Sequence, residues 1–117
     1  MATFTKTLLS GSTNGKAIKV VATATAGTTI HTAVSGTASI DEIWLYAHNS
    51  SASAVKLTLE WGEATAPDGN IEITIGAEGT GLVLVSPGLL LQNSLVVKAF
   101  AATANVITLT GYVNRIS

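Results

Sequence analysis

Apolar and polar residues alternate with a period of two from about residue 16 to the C-terminus, and no window keeps an apolar stripe at helical spacing for three turns. The clearest stretch is 54–62, where Val55, Leu57, Leu59 and Trp61 are expected on one side and Lys56, Thr58 and Glu60 on the other. Ile71, Ile73 and Ile75 alternate with Glu72 and Thr74 in the same way. Further strands are expected over 16–25, 28–34, 40–49, 82–86, 94–101 and 106–116, with a brief pairing at 89–91. Turn residues punctuate them. Ala26-Gly27 looks like a hairpin break, Ala66-Pro67-Asp68-Gly69-Asn70 presets a turn, residues 76–81 form a glycine-containing loop, and Pro87-Gly88 is expected to end a strand. About eight strands with turn signals every 8 to 12 residues predict an all-β antiparallel sandwich, jelly-roll-like in outline. Ahead of this single domain at 16–117, residues 1–15 read as an extended N-terminal arm, with Phe4, Leu8 and Leu9 as its anchors.

The strand 40–49 has two apolar faces. Ile43, Leu45 and Ala47 share one side; Trp44, Tyr46 and His48 share the other. Only one side can join the core of a two-layer sandwich. If the aliphatic side packs inward, Trp44 and Tyr46 lie on an outer face, where aromatic side chains with a polar tip are enriched at protein contacts and sugar platforms. The competing arrangement covers both sides within one subunit, for instance with the arm. Trp61, on an aliphatic face, is expected in the core.

Composition sharpens this picture. Only 11 % of the 117 residues are charged, against about 25 % in an ordinary soluble domain. Neutral, apolar outer surface points to self-association or docking on another protein. The net charge is −1, and Lys6, Lys16, Lys19, Lys56, Lys98 and Arg115 are scattered, which argues against nucleic acid as a partner. Without cysteine there is no disulfide, thiolate metal site or thiol nucleophile. The first dozen residues lack the apolar stretch of a secretion signal, and no apolar run nears the roughly 20 residues of a membrane helix, so neither export nor a membrane partner is expected.

Residues with chemical potential do not assemble into a site at the level of sequence. His31 and His48 lack metal-closing spacing and are expected as surface or interface imidazoles bonded to nearby hydroxyls. No Gly-x-Ser-x-Gly elbow is present. Asp41 and Glu42 are adjacent in a strand and point to opposite sides, so they cannot share one substrate atom. Asp68-Gly69-Asn70 fits a turn better than a calcium loop, and the glycines of 76–81 lack the helix and lysine of a phosphate cradle. No catalytic residue, metal or cofactor is expected.

The start Met-Ala-Thr-Phe-Thr-Lys-Thr-Leu-Leu-Ser-Gly, the strand Ile-Asp-Glu-Ile-Trp-Leu-Tyr-Ala-His-Asn ending at Asn49, the stretch Val-Lys-Leu-Thr-Leu-Glu-Trp-Gly ending at Gly62, and the close Val-Ile-Thr-Leu-Thr-Gly-Tyr-Val ending at Val113 carry a resemblance over the whole chain. It resembles the small Ala/Thr/Gly-rich decoration, or cement, proteins on the heads of tailed bacteriophages, in composition, length and layout rather than by a signature motif. Minor head-tail and tail proteins share the style. The resemblance implies a jelly-roll-like homotrimer, made in the host cytoplasm, that binds the major capsid protein on the virion surface and stabilises the shell. On that reading Phe4, Leu8 and Leu9 touch the shell or a sister subunit, Trp44 and Tyr46 lie at a subunit contact, and removing residues 2–12 leaves the fold intact. A carbohydrate-binding module with Trp44, Tyr46 and His48 as its platform is the other class, although Asp41, Asp68 and Arg115 are a thin supply of sugar-binding side chains.

Overall fold

In the computed structural model, which describes residues 2–117, nine strands form two antiparallel sheets. They are β1 (Phe4–Thr7), β2 (Ile18–Lys19), β3 (Thr28–Thr32), β4 (Ile40–Asn49), β5 (Val55–Trp61), β6 (Asn70–Ile75), β7 (Val83–Leu91), β8 (Val96–Ala101) and β9 (Ile107–Ile116). The larger sheet runs β1-β9-β4-β7, with β2 pairing the other end of β9; the smaller runs β3-β8-β5-β6. Apart from β1–β2, both in the larger sheet, and β5–β6, both in the smaller, each strand is followed by one in the other sheet, and the strand order is that of a jelly roll, the architecture expected from the strand spacing.

The period-two pattern sets which sides meet. From β4 come Ile43, Leu45 and Ala47, from β5 Leu57 and Leu59, from β8 Val97, Ala99 and Ala101, and from β9 Ile107, Leu109 and Val113, all buried between the sheets. Trp61, expected in the core, is half-buried and packs against it. At Gly111 a Cβ would collide with the backbone carbonyl of Trp44 on the neighbouring strand, so close approach of β4 and β9 requires glycine there.

Several expectations change. Ala26-Gly27 is no hairpin: β2 belongs to the larger sheet and β3 to the smaller, so residues 20–27 cross between layers. That crossing covers part of the smaller sheet. Thr58 and Glu60 point away from the core as the alternation says, yet both are buried, and Glu60 accepts from the Gly27 amide at 2.6 Å and the Thr25 hydroxyl at 3.0 Å. Pro87-Gly88 does not end a strand either. The turn pair is absorbed as an irregularity inside β7, with register shifts against β4 on both sides, and Gly88 takes φ +77°.

The N-terminal segment is extended, and its own chain holds it. Phe4 to Thr7 pair with Ile116 to Val113 of β9, and Thr3 and Ser117 exchange backbone hydrogen bonds of 2.8 and 2.9 Å. The segment widens the larger sheet sideways and does not fold over its outer face. Leu9 is 2 % exposed and belongs to the core. It is therefore not a shell or subunit contact as expected, because burial between the layers removes it from any partner's reach.

Candidate functional site

The outer face of the larger sheet follows from register. Residues opposite one another in an antiparallel pair share a face, so the pairings Phe4 with Ile116 and Ile116 with Ile40 lay an apolar row across one end. Lys6, Asn114, Glu42 and Leu90 form the next row. Tyr112, Trp44 and Pro87 make the third, and Thr110, Tyr46 and Leu84 the fourth. Thr108 and His48 continue beyond them, beside Lys19. The two middle rows hold no charge.

Trp44 is the fixed centre of this face. Its indole N–H donates to Glu42 Oε1 at 2.7 Å, and the Asn114 amide donates to the same oxygen at 3.0 Å. These two donors hold the Glu42 carboxyl below the usual glutamate range. The indole lies beside Tyr112, with ring centroids 6.2 Å apart and planes within 15°. Its other neighbour is Gly88, where an added Cβ would approach Cζ2 to 3.0 Å. Lys6 Nζ sits 4.6 Å from the centre of the Tyr112 ring, a cation–π contact that lays the lysine stem along the face. The aromatic groups are thus braced before any partner arrives, which lowers the ordering cost of binding.

The opposite outer face has a different chemistry. The smaller sheet presents Lys56, Glu72, Thr74, Lys98 and Phe100, with Lys56 and Glu72 paired across β5 and β6. Both outer faces carry charged side chains; what sets the larger sheet's face apart is its two middle rows, which are uncharged and hold Trp44, Tyr112 and Tyr46.

Of the sequence-predicted contact residues, Trp44 and Tyr46 fall in adjacent rows at the middle of the larger sheet's face, both half-buried. Phe4 lies on the same face at its margin and is 69 % exposed. Leu8 is exposed just beyond β1. Tyr112, Thr110 and Leu84 complete the face and were not singled out from sequence. Their signal was the uncharged outer side of 106–113, which becomes specific only once β9 is known to lie beside β4.

A second cluster, inside the sandwich, was also missed. Asp41 is fully buried at the start of β4, where its carboxylate accepts from Arg115 Nε at 2.7 Å, Arg115 Nη2 at 3.0 Å, His31 Nε2 at 2.8 Å and the Val34 amide at 3.0 Å. Burial alone would push Asp41 up, but the Arg115 and His31 hydrogen bonds outweigh it and hold the carboxyl below the usual aspartate range. On the far side of the imidazole, Nδ1 accepts the Ser10 amide at 3.0 Å, which places the ring proton on Nε2, facing Asp41. Ser10 Oγ in turn accepts the Thr32 amide at 2.6 Å. His31 is therefore a buried tie between the N-terminal segment, β3 and β4, not the surface imidazole expected. Although a serine, a histidine and an aspartate are brought together, the imidazole meets the serine backbone rather than its hydroxyl. The ring is buried away from any substrate, and Arg115 neutralises the carboxylate, so the trio lacks the geometry of an activated nucleophile.

His48 is half-buried, with Nδ1 3.4 Å from the Gly81 carbonyl. Among the described residues, no three His, Cys, Asp or Glu side chains are placed to hold a metal ion. Comparison with protein-family models, curated proteins and solved structures returned no match.

Proposed function

We propose that this chain is a non-enzymatic virion structural protein, a decoration or cement protein that seats as a homotrimer on the outer surface of a tailed-phage head and stabilises the shell. The observation that carries the reading is the pair of uncharged rows in the middle of the larger sheet's outer face, where Trp44, Tyr112 and Tyr46 sit with Pro87, Thr110 and Leu84. Large aromatics in uncharged rows, braced at the rim by Glu42, Asn114 and Lys6, suit docking against protein. The whole-chain resemblance to head decoration proteins supplies the kind of partner, the major capsid protein.

Stabilisation would work by linkage. A protein that binds only the mature shell lowers that state's free energy by an amount that grows with the logarithm of its concentration over Kd. Three joined copies turn a weak single contact into a persistent one through effective concentration. Phe4 and Leu8 extend the contact surface at its margin; Leu9 acts through the core.

Binding to purified heads of the parent phage, stripped of this protein, tests the reading by co-sedimentation. The wild-type chain is expected to pellet with the heads. Trp44→Ala removes a central aromatic and, at about 2 kcal/mol for a hot-spot residue, should weaken binding roughly 30-fold. Tyr46→Lys should abolish it by placing a charge among the uncharged rows. A chain that stays in the supernatant at all concentrations overturns the proposal.

A second reading rests on the near-parallel Trp44 and Tyr112 rings beside Glu42 and Asn114, an arrangement able to stack a sugar and bond its hydroxyls. It is weaker, because Glu42 Oε1 and the Asn114 amide are already engaged with each other. Retention on a glycan array, lost in Trp44→Ala, would favour it over head binding.

A further inference from the structure

Glutamate is seldom buried without a cation beside it, because a carboxylate loses its hydration on leaving water. The two buried carboxylates of this chain differ in that respect. Asp41 has Arg115 and His31 on it. Glu60 is 2 % exposed, and among the described residues no Lys, Arg or His nitrogen lies within ion-pairing distance of it. Two neutral donors of the crossing segment 20–27 reach it instead, the Gly27 amide on one oxygen and the Thr25 hydroxyl on the other. The crossing comes this close because residue 27 is glycine; a Cβ there would collide with the backbone of Ala99. A carboxylate offers about four acceptor positions, so Glu60 keeps unfilled capacity as well as an uncompensated charge.

This carboxylate is not sealed inside the protein. Glu60 forms part of the wall of a hollow of about 260 Å³ on the smaller sheet's outer side, beside the crossing segment. Glu63 and Ala64, just past β5, and Leu95 and Val96, at the start of β8, line the rest of it with Lys98. Lys98 stands opposite Glu60 in the β5–β8 register and is half-buried, yet it too forms no ion pair. The hollow thus has an acidic wall, hydrocarbon walls and one lysine that stops short of the acid.

The lining selects the ligand. An anion would meet Glu60 and Glu63, and a neutral molecule would leave the Glu60 charge uncompensated. A metal ion needs more oxygen than the hollow supplies: among the described residues no three His, Cys, Asp or Glu side chains are placed to hold one, and Ala64, Leu95 and Val96 offer only hydrocarbon. A primary ammonium on a short alkyl chain satisfies each wall. Its N–H groups donate to the unfilled positions of Glu60, its charge neutralises a carboxylate withdrawn from water, and its methylene groups lie along Leu95 and Val96. We infer that this hollow binds an alkylammonium group, with Glu60 as its counter-ion. A free amine and a lysine side chain of another protein both carry that group. The site lies away from the aromatic rows, so it stands independently of the docking reading.

The test is a titration of the isotope-labelled chain, at neutral pH and constant ionic strength, followed by backbone amide chemical shifts. n-Butylammonium chloride should move the amides of Gly27, Gly62 and Lys98 saturably, with a Kd of about millimolar for so small a ligand. 1-Butanol, the uncharged isostere, should not. Blocked lysine, with its backbone ends capped, distinguishes the sources: binding of both probes admits a protein lysine, and binding of butylammonium alone restricts the site to free amines. Glu60→Gln keeps an acceptor for Gly27 and a partner for Thr25 and should weaken binding roughly 10-fold or more. Ala64→Phe fills the hollow from an exposed position and carries the test if Glu60→Gln fails to fold by circular dichroism. Lys98→Met removes a like charge and should tighten binding. Equal shifts with 1-butanol or with calcium chloride, or unchanged binding in both Glu60→Gln and Ala64→Phe, overturn the inference. So does a wild type that does not bind while Lys98→Met does, because Lys98 is then the cation that Glu60 holds in solution. A wild type without saturable shifts overturns it outright.

Discussion

Replacing Asp41 by Asn should destabilise the fold by about 3 kcal/mol, within the range for breaking a buried ion pair. Asp41 receives four hydrogen bonds, two of them from Arg115, and it is fully buried. An asparagine keeps one acceptor oxygen and turns an amide toward groups that only donate. The low end of the range applies because the Arg115 side chain is 35 % exposed and can recover water when its partner is lost. Urea unfolding monitored by circular dichroism, at one fixed chain concentration, measures the difference, since self-association makes apparent stability depend on concentration. The pH dependence provides a second check. Because the folded-state pKa of Asp41 is depressed, its contribution is fully present above the ordinary aspartate range and is lost as the pH falls through the lower folded-state value. The gap between wild type and Asp41→Asn should therefore be widest near neutral pH and narrow in acid. A loss below about 0.5 kcal/mol, the scale of an ordinary surface substitution, would refute the structural role of the cluster. So would a gap that does not change between neutral and strongly acid solution.

Truncating residues 2–7 removes β1 alone and should leave a folded, slightly less stable domain. Truncating 2–12 also removes Leu9 and Ser10 and should cost a further 2–5 kcal/mol or so, as a lost core leucine does; equal melting temperatures for the two truncations would contradict this. Gly111→Ala should destabilise by roughly 1–3 kcal/mol, because β4 and β9 must separate to admit the methyl group, and a melting temperature within a degree of wild type would disprove the close approach. Glu72→Ala breaks the exposed Lys56 pair and should change stability by less than about 1 kcal/mol, measured by the same urea titration.

Strand identity was legible in the sequence wherever one side of a strand meets water and the other meets the core. Ile40 to Asn49 shows this at every position: Asp41, Ile43, Leu45, Ala47 and Asn49 are buried and the residues between them are not. Leu9 and His31 were misread because nothing local marks a leucine of an arm, or a histidine between Ile30 and Thr32, as interior. Their burial comes from partners 21 to 22 residues away, through the Ser10 bonds to His31 and Thr32. The docking face was half-legible. Trp44 and Tyr46 stand out within their own strand, but Tyr112 joins them only because β9 lies beside β4 in one register.

The chain by itself determined an all-β sandwich, the absence of thiol chemistry, and a shortage of charge that leaves some outer surface neutral, because periodicity and composition are properties of neighbouring residues. Only the tertiary structure decided which neutral surfaces gather into one aromatic face, and that Asp41, His31 and Arg115 meet inside. Those outcomes depend on pairings between strands distant in sequence, fixed by how the two sheets close over a shared core.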